Sequence, residues 1–128
     1  MLAESTKGNG VSHEEQLDLA FADLEYLQFP PRSQARVFGR AVYLNSELNK
    51  RVKPYLKKSN SSNVRSRANQ IRYLRAELDE KFDDPDLIQK WLNKRVATLG
   101  NKSPRVMLIT GNPANIRRVR NLLAHTAG

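Results

Sequence analysis

The chain has 128 residues, 39% of them hydrophobic and none of them cysteine, and its formal net charge is +9. This length is enough for one compact domain or for two small halves that share a core. The lack of cysteine excludes disulfide bonds, thiolate metal sites and a cysteine nucleophile, and no apolar run approaches the roughly 20 residues that a membrane helix needs.

The N-terminal part predicts a leader followed by one amphipathic helix. Residues 1–11 are polar and contain glycine but no apolar block of the signal-peptide kind, so we expect a flexible leader and a cytoplasmic protein. Ser12 and Glu15 have the spacing of a capping box, which predicts a helix start. Pro30 and Pro31 end this helix. Its apolar stripe consists of Leu17, Phe21, Leu24 and Leu27.

A short helix is predicted over residues 33–38, with Gly39 as its left-handed C-cap. This segment resembles the first helix and turn of an Xre-type helix-turn-helix, because Ala35 precedes the glycine by four residues and lets two helices approach closely. The recognition helix would then span residues 43–53, and Pro54 would kink or divide the helix there. A plain amphipathic helix pair is the alternative interpretation.

The polar run at residues 59–63 predicts a linker between two modules. The first module, residues 12–58, would be a helix-turn-helix-like DNA-binding unit, and the second, residues 64–128, a small helical domain. The second begins with a long helix whose first turns are basic and whose last turns are acidic, an order that opposes the helix dipole. Its apolar stripe consists of Val64, Ala68, Ile71, Leu74, Leu78 and Phe82.

Three further helix starts share one signature, an N-cap residue followed by proline at the first helical position. They are Asp84-Pro85, Ser103-Pro104 and Asn112-Pro113. We therefore predict three short C-terminal helices and an all-α fold for the chain. The expected inner faces consist of Leu87, Ile88, Trp91, Leu92, Met107, Leu108, Ile116, Val119, Leu122 and Leu123.

The C-terminal landmarks follow an order that is similar to that of a known domain. The order runs through Trp91-Leu92, Leu99-Gly100, Ser103-Pro104, Leu108, Thr110-Gly111, Val119 and Leu123. It resembles the C-terminal toxin-binding domain of the MbcA/ParS/Xre antitoxins, with residues 64–128 as the ParS-like domain. The sequence departs from the family pattern at Asn101, where a second glycine is usual, and at His125-Thr126, where an Arg-Ile pair is common.

This resemblance implies a binding protein and not an enzyme. In these antitoxins the last helix and tail enter the active-site cleft of a RES-domain toxin, an NAD-consuming enzyme. The chain would then be a type II antitoxin that occludes such a toxin and needs no cofactor. A frayed terminus without a role is the alternative. The toxin-binding residues that the resemblance implies are Arg117, Arg118, Arg120, Asn121, Ala124, His125, Thr126, Ala127 and Gly128.

The charges are segregated along the chain, which favours a polyanionic partner. Residues 26–76 contain twelve basic residues and one acid, whereas residues 87–128 contain eight basic residues and no acid. The first block, with the helix-turn-helix-like segment, predicts duplex DNA as a partner, autorepression of the operon, and a homodimer within the hetero-oligomeric complex. The predicted DNA-binding residues are Arg32, Arg36, Arg40, Asn45, Asn49, Lys50, Arg51, Lys53, Lys57, Lys58, Arg65 and Arg67.

The residues show no pattern for catalysis or for a metal site. His13 and His125 stand near opposite ends of the chain without a partner motif, and Asp84 is accounted for as an N-cap. A stand-alone DNA-binding regulator without a toxin partner is the alternative function. An RNA-binding accessory protein is a third, and a generally basic surface that serves only solubility is the plainest interpretation of the charge.

Overall fold

The computed structural model describes residues 12–38, 62–110 and 112–126. Within these residues it has six α-helices, one 3-10 helical turn and no strand, so the predicted all-α class is confirmed for this part of the chain. The helices are α1 (His13–Tyr26), α2 (Pro31–Val37), α3 (Ser62–Lys81), α4 (Pro85–Asn93), α5 (Pro104–Ile109) and α6 (Pro113–Ala124), and the 3-10 turn spans Ala97–Leu99.

Helix α1 begins as its capping signal predicts. The Ser12 hydroxyl accepts a hydrogen bond from the Glu15 backbone N–H at 3.1 Å, which satisfies one of the donors that every helix start leaves free. After the helix, Gln28 adopts a φ of 65° and Pro31 becomes the first residue of α2. The predicted stripe of α1 is buried and consists of Leu17, Phe21, Leu24 and Leu27.

Helix α2 covers most of the helix predicted over residues 33–38 and begins two residues earlier. Its position against α1 depends on Gln34, which is buried where the two helices meet. The Gln34 side-chain Nε2 donates to the Phe29 carbonyl oxygen at 2.6 Å and to the Glu25 carboxylate at 3.0 Å. These bonds remove most of the cost of burying the amide, because an unpaired polar group in an apolar setting is unfavourable.

Much of the predicted N-terminal organisation lies outside the described residues. The positions concerned are residues 1–11, Gly39, residues 43–53 and Pro54. The helix-turn-helix therefore stays a prediction. The linker predicted over residues 59–63 is described only at its end, where Ser62 and Asn63 already belong to α3.

Helix α3 is the central element and packs against α1 on one side and α6 on the other. Two arginines of α3 form hydrogen bonds to α1. Arg75 donates to the Asp23 carboxylate at 3.2 Å, and Arg72 donates to the Gln16 side-chain oxygen at 2.9 Å. Packing thus outweighs a charge order that opposes the helix dipole. The buried stripe of α3 consists of Val64, Ala68, Ile71, Leu74 and Leu78, with Phe82 packed at its end.

All three predicted starts with an N-cap residue before proline are confirmed. Each N-cap side chain accepts a backbone N–H from the first turn of its helix. The pairs are Asp84 with Asp86 at 2.9 Å, Ser103 with Val106 at 3.2 Å and Asn112 with Ala114 at 2.9 Å. Local sequence therefore determines where α4, α5 and α6 begin.

The predicted inner faces of these helices are buried or half-buried with one exception. The prediction for Leu87 is wrong, because its side chain is 44% exposed. It lies about 140° around the helix axis from Leu92, which is fully buried, so it falls at the edge of the apolar arc. The confirmed buried positions are Ile88, Leu92, Met107, Leu108, Ile116, Val119 and Leu123, while Trp91 and Leu122 are half-buried.

The two predicted modules share one hydrophobic core across the described residues, since buried side chains of α1 to α6 form a single cluster. Arg105 on α5 connects the halves: its guanidinium donates to the carbonyl oxygens of Leu27 at 3.0 Å and Gln28 at 3.4 Å. It also donates to the side chains of Asn93 and Gln89 on α4. Burial lowers the pKa of the Arg105 guanidinium, and these acceptors offset the loss of water around it.

Candidate functional site

The residues predicted to bind a toxin are brought together at the end of α6 and at its C-cap. The helix ends at Ala124, and the C-cap residue is His125. Thr126 is half-buried, while residues 127–128 lie outside the described residues. The exposed members of the predicted set are Arg117, Arg118, Asn121, Ala124 and His125.

A tight turn between α4 and α5 supports this end of α6. Val96 and Lys102 form an isolated antiparallel bridge around the 3-10 turn, and the Asn101 backbone N–H donates to the Val96 carbonyl oxygen at 3.0 Å. Gly100 and Asn101 adopt left-handed backbone conformations, with φ of 68° and 63°. Asn tolerates this region better than most side chains, so it can replace a second glycine at little cost.

The turn and α6 enclose a shallow cleft of about 300 Å³. Its lining residues are Thr98, Leu99, Arg118, Asn121, Leu122 and His125. Leu99 is buried and Leu122 half-buried, so the cleft has an apolar floor. The polar groups stand on its rim, where they can orient a partner that fills the floor.

Two hydrogen bonds position the rim of the cleft. The Arg118 Nη2 donates to the Thr98 carbonyl oxygen at 3.1 Å, which fixes the guanidinium across the gap between α6 and the turn. The His125 Nδ1 lies 2.8 Å from the Asn121 carbonyl oxygen, so the ring is held against the last turn of the helix. A guanidinium has five N–H donors, and the Thr98 bond engages one of them.

Arg120 has a different environment from the one predicted for it. Its guanidinium donates to both carboxylate oxygens of Glu77, at 2.9 and 2.8 Å, and to the Gln70 side-chain oxygen at 2.7 Å. It also lies 5.1 Å from the centroid of the Tyr73 ring. The hydrogen bonds to Glu77 raise the pKa of Arg120. Arg120 therefore connects α6 to α3, and we do not count it among the residues that face a partner.

The predicted DNA-binding residues are described only in part. Arg36 is exposed on α2, Arg65 is exposed on the first turn of α3, and Arg67 is half-buried on the second turn. Arg32 belongs to α2. The others lie outside the described residues: Arg40, Asn45, Asn49, Lys50, Arg51, Lys53, Lys57 and Lys58.

The described residues contain no group of three or more histidine, cysteine, aspartate or glutamate side chains that could hold a metal ion. In the same part of the chain, no helix is both long and apolar enough to cross a membrane.

Sequence reasoning missed the residues that complete the cleft. Thr98 and Leu99 belong to a turn some twenty residues before Arg118, and only the folded chain places them beside α6. The Leu99-Gly100 pair is the one local signal for this arrangement, because it predicts a sharp turn after an apolar residue.

The chain matches no protein-family profile, no curated protein and no solved structure in comparisons with each.

Proposed function

We propose that the chain is an antitoxin of the MbcA/ParS/Xre type, which binds a RES-domain toxin and occludes its active site. The observation that carries the proposal is the cleft at the end of α6. Three of the residues that the resemblance implies for toxin binding, Arg118, Asn121 and His125, line it together with an apolar floor. An apolar patch rimmed by oriented polar groups is the usual form of a small protein-binding site.

Electrostatics support a protein partner with an acidic surface. Residues 87–128 contain eight basic residues and no acid. Arg105 and Arg120 are engaged within the chain. Arg117 and Arg118 are exposed on α6, and one N–H of Arg118 donates to the Thr98 carbonyl oxygen. Exposed charges of one sign around an apolar centre steer a partner of the opposite charge and favour one orientation. The partner surface that meets α6 would therefore carry carboxylate groups.

The proposal also includes repression of the shared operon through the basic block at residues 26–76, with a homodimer that reaches two half-sites. Affinity of this kind falls steeply with salt, because each phosphate contact releases counterions. The double variant Arg36→Ala with Lys50→Ala tests this half. We expect weaker operator binding in a gel-shift titration. Unchanged affinity would show that these two residues do not contact the operator.

The partner half is tested by co-expression with the product of the adjacent gene. We expect that product to arrest growth when expressed by itself, to be neutralised by this chain, and to co-purify with it. A variant with Arg118→Glu, Asn121→Ala and His125→Ala should lose both neutralisation and co-purification, because it changes the rim and leaves the core untouched.

The matched control is Lys90→Glu on α4, which changes the charge by the same amount at an exposed position away from the cleft. We expect it to neutralise like the unmodified chain. If the triple variant neutralises equally well, the cleft is not the docking site.

A stand-alone DNA-binding regulator is the second candidate, and the +11 block at residues 26–76 favours it. The same co-expression separates the two functions. A neighbouring gene product that is harmless by itself and does not co-purify would support the regulator and overturn the antitoxin.

A further inference from the structure

The first half of α3 exposes a row of side chains that no predicted site accounts for in full. Arg65, Asn69 and Tyr73 follow one another at intervals of four residues, so they lie along one line of the helix surface. All three are exposed, and the Tyr73 side chain is 56% exposed although it is aromatic. The row from Arg65 to Tyr73 spans about 12 Å of helix and ends before Glu77, the next residue at this interval, whose carboxylate pairs with Arg120.

Both neighbouring helices hold the side chains of this row in place. From α1, Gln16 donates to the Asn69 side-chain oxygen and accepts from Arg72, which lies at the edge of the row. From α6, the Arg120 guanidinium lies 5.1 Å from the centroid of the Tyr73 ring. A merely solvated face does not need such contacts, whereas a binding surface gains from side chains that are ordered in advance.

The charge of this half of α3 favours an anion. Residues 62–76 contain four arginines and no acid, and the acidic residues of the helix begin at Glu77. Two of these arginines are paired with carboxylates: Arg72 and Arg75 lie 3.8 and 3.2 Å from Asp23 of α1, and Arg75 also lies 2.9 Å from Asp79. Arg65, one helical turn before Asn69, is exposed.

We propose that the row Arg65–Asn69–Tyr73 lies against the phosphate backbone of duplex DNA. Arginine, asparagine and tyrosine side chains are all regular donors to phosphate oxygens. Duplex DNA carries about one charge per 1.7 Å of axis, which suits a row of donors spread along a helix. Tyr73 is the one aromatic side chain in the row, whereas single-strand platforms stack successive bases on several aromatic rings.

This inference deepens the DNA-binding half of the proposed function, on which it rests, and it is independent of the toxin. It adds Asn69 and Tyr73 to the predicted contacts and assigns Arg65 a position in a continuous surface. Around the helix axis, Arg65 lies about 180° from the core residue Leu74, Asn69 about 140° and Tyr73 about 100°.

The test is fluorescence anisotropy of the full chain with a labelled duplex two helical turns long, titrated at several salt concentrations. The variant is Arg65→Ala with Tyr73→Ala, which removes one cation and one exposed ring. The matched control is Lys90→Ala with Leu87→Ala on α4, which removes one exposed cation and one exposed apolar side chain. Circular dichroism and thermal unfolding confirm that both variants fold.

We expect the α3 variant to bind about tenfold more weakly and its logarithmic salt slope to fall by about 1, as for the loss of one phosphate contact. The control should keep the slope of the unmodified chain. Equal losses in both variants would overturn the assignment of the row while leaving DNA binding intact. A chain that binds no duplex overturns the row and the DNA half together. Preference for the single strand of the same sequence overturns the choice of duplex.

Discussion

The two sides of α3 contact their neighbouring helices through the same kinds of side chain, but these side chains differ in burial. On the α1 side, Arg75 lies 3.5 Å from the centroid of the Tyr26 ring and donates to Asp23. On the α6 side, Arg120 lies over Tyr73 and donates to Glu77. Each side therefore combines an arginine, a tyrosine and a carboxylate.

The difference between the two sides is the burial of the acid. The Asp23 side chain is 17% exposed, whereas the Glu77 side chain is 40% exposed. Burial raises the pKa of Asp23, although Arg75 and Arg72 oppose that shift. For Arg120 the hydrogen bond to Glu77 raises the pKa, so there pairing outweighs the loss of water. A solvated ion pair adds little to the free energy of unfolding. Removing the partner of a carboxylate that is shielded from water costs more, because the charge is left without compensation.

The largest expected effect on the free energy of unfolding comes from truncating one side chain of the core that both sides share. Leu74 is fully buried on α3, and the variant Leu74→Ala should lower the free energy of unfolding by about 2–5 kcal/mol. The cost has two parts, the lost burial of the side chain and the cavity that remains. Urea denaturation followed by circular dichroism measures it.

The matched control for this variant is Leu87→Ala, which makes the same substitution at a side chain that is 44% exposed. Its free energy of unfolding should stay within about 0.5 kcal/mol of the unmodified chain. Comparable losses at both positions would mean that the core is not centred on α3.

Removing the arginine on each side of α3 should have different costs. Arg75→Ala should cost about 1–2 kcal/mol of the free energy of unfolding, because it leaves the half-buried Asp23 carboxylate with Arg72 as its remaining arginine and also removes the pair with Asp79. Arg120→Ala should cost less than about 1 kcal/mol, because water can solvate Glu77 once its partner is gone. Both values come from urea denaturation at neutral pH.

A double-mutant cycle sharpens this comparison. In a chain that already carries Asp23→Asn, the substitution Arg75→Ala should cost clearly less, since no buried charge is left unpaired. An equal cost in both backgrounds would show that Arg75 acts through its packing on Tyr26 or its pair with Asp79, and not through Asp23.

Local patterns predicted the starts of α1, α4, α5 and α6 and most of the core, but not the first residues of α2 and α3 or the two sides of α3. The Ser12, Asp84, Ser103 and Asn112 caps depend on residues within three positions of each other, so the sequence shows them directly. The pairs of Arg120 with Glu77 and of Arg105 with Leu27 join residues 43 and 78 positions apart. No periodicity encodes such pairs, because they depend on how α6 and α5 cross the other helices. For the same reason the predicted toxin-binding set includes Arg118, Asn121 and His125 of the cleft but not Leu122, Thr98 and Leu99.

The smallest expected effect concerns pH. Because burial raises the pKa of Asp23 in the folded chain, the folded state binds that proton more readily than the unfolded state. The stability that this group contributes is therefore present at low pH and is lost as the pH rises through the pKa of the folded state. The comparison is the free energy of unfolding of the unmodified chain against Asp23→Asn, measured by urea denaturation from neutral pH into the acidic range. The unmodified chain should gain stability relative to the variant as the pH falls. A relative loss on acidification would mean that the pairs with Arg75 and Arg72 outweigh the burial of the Asp23 carboxylate.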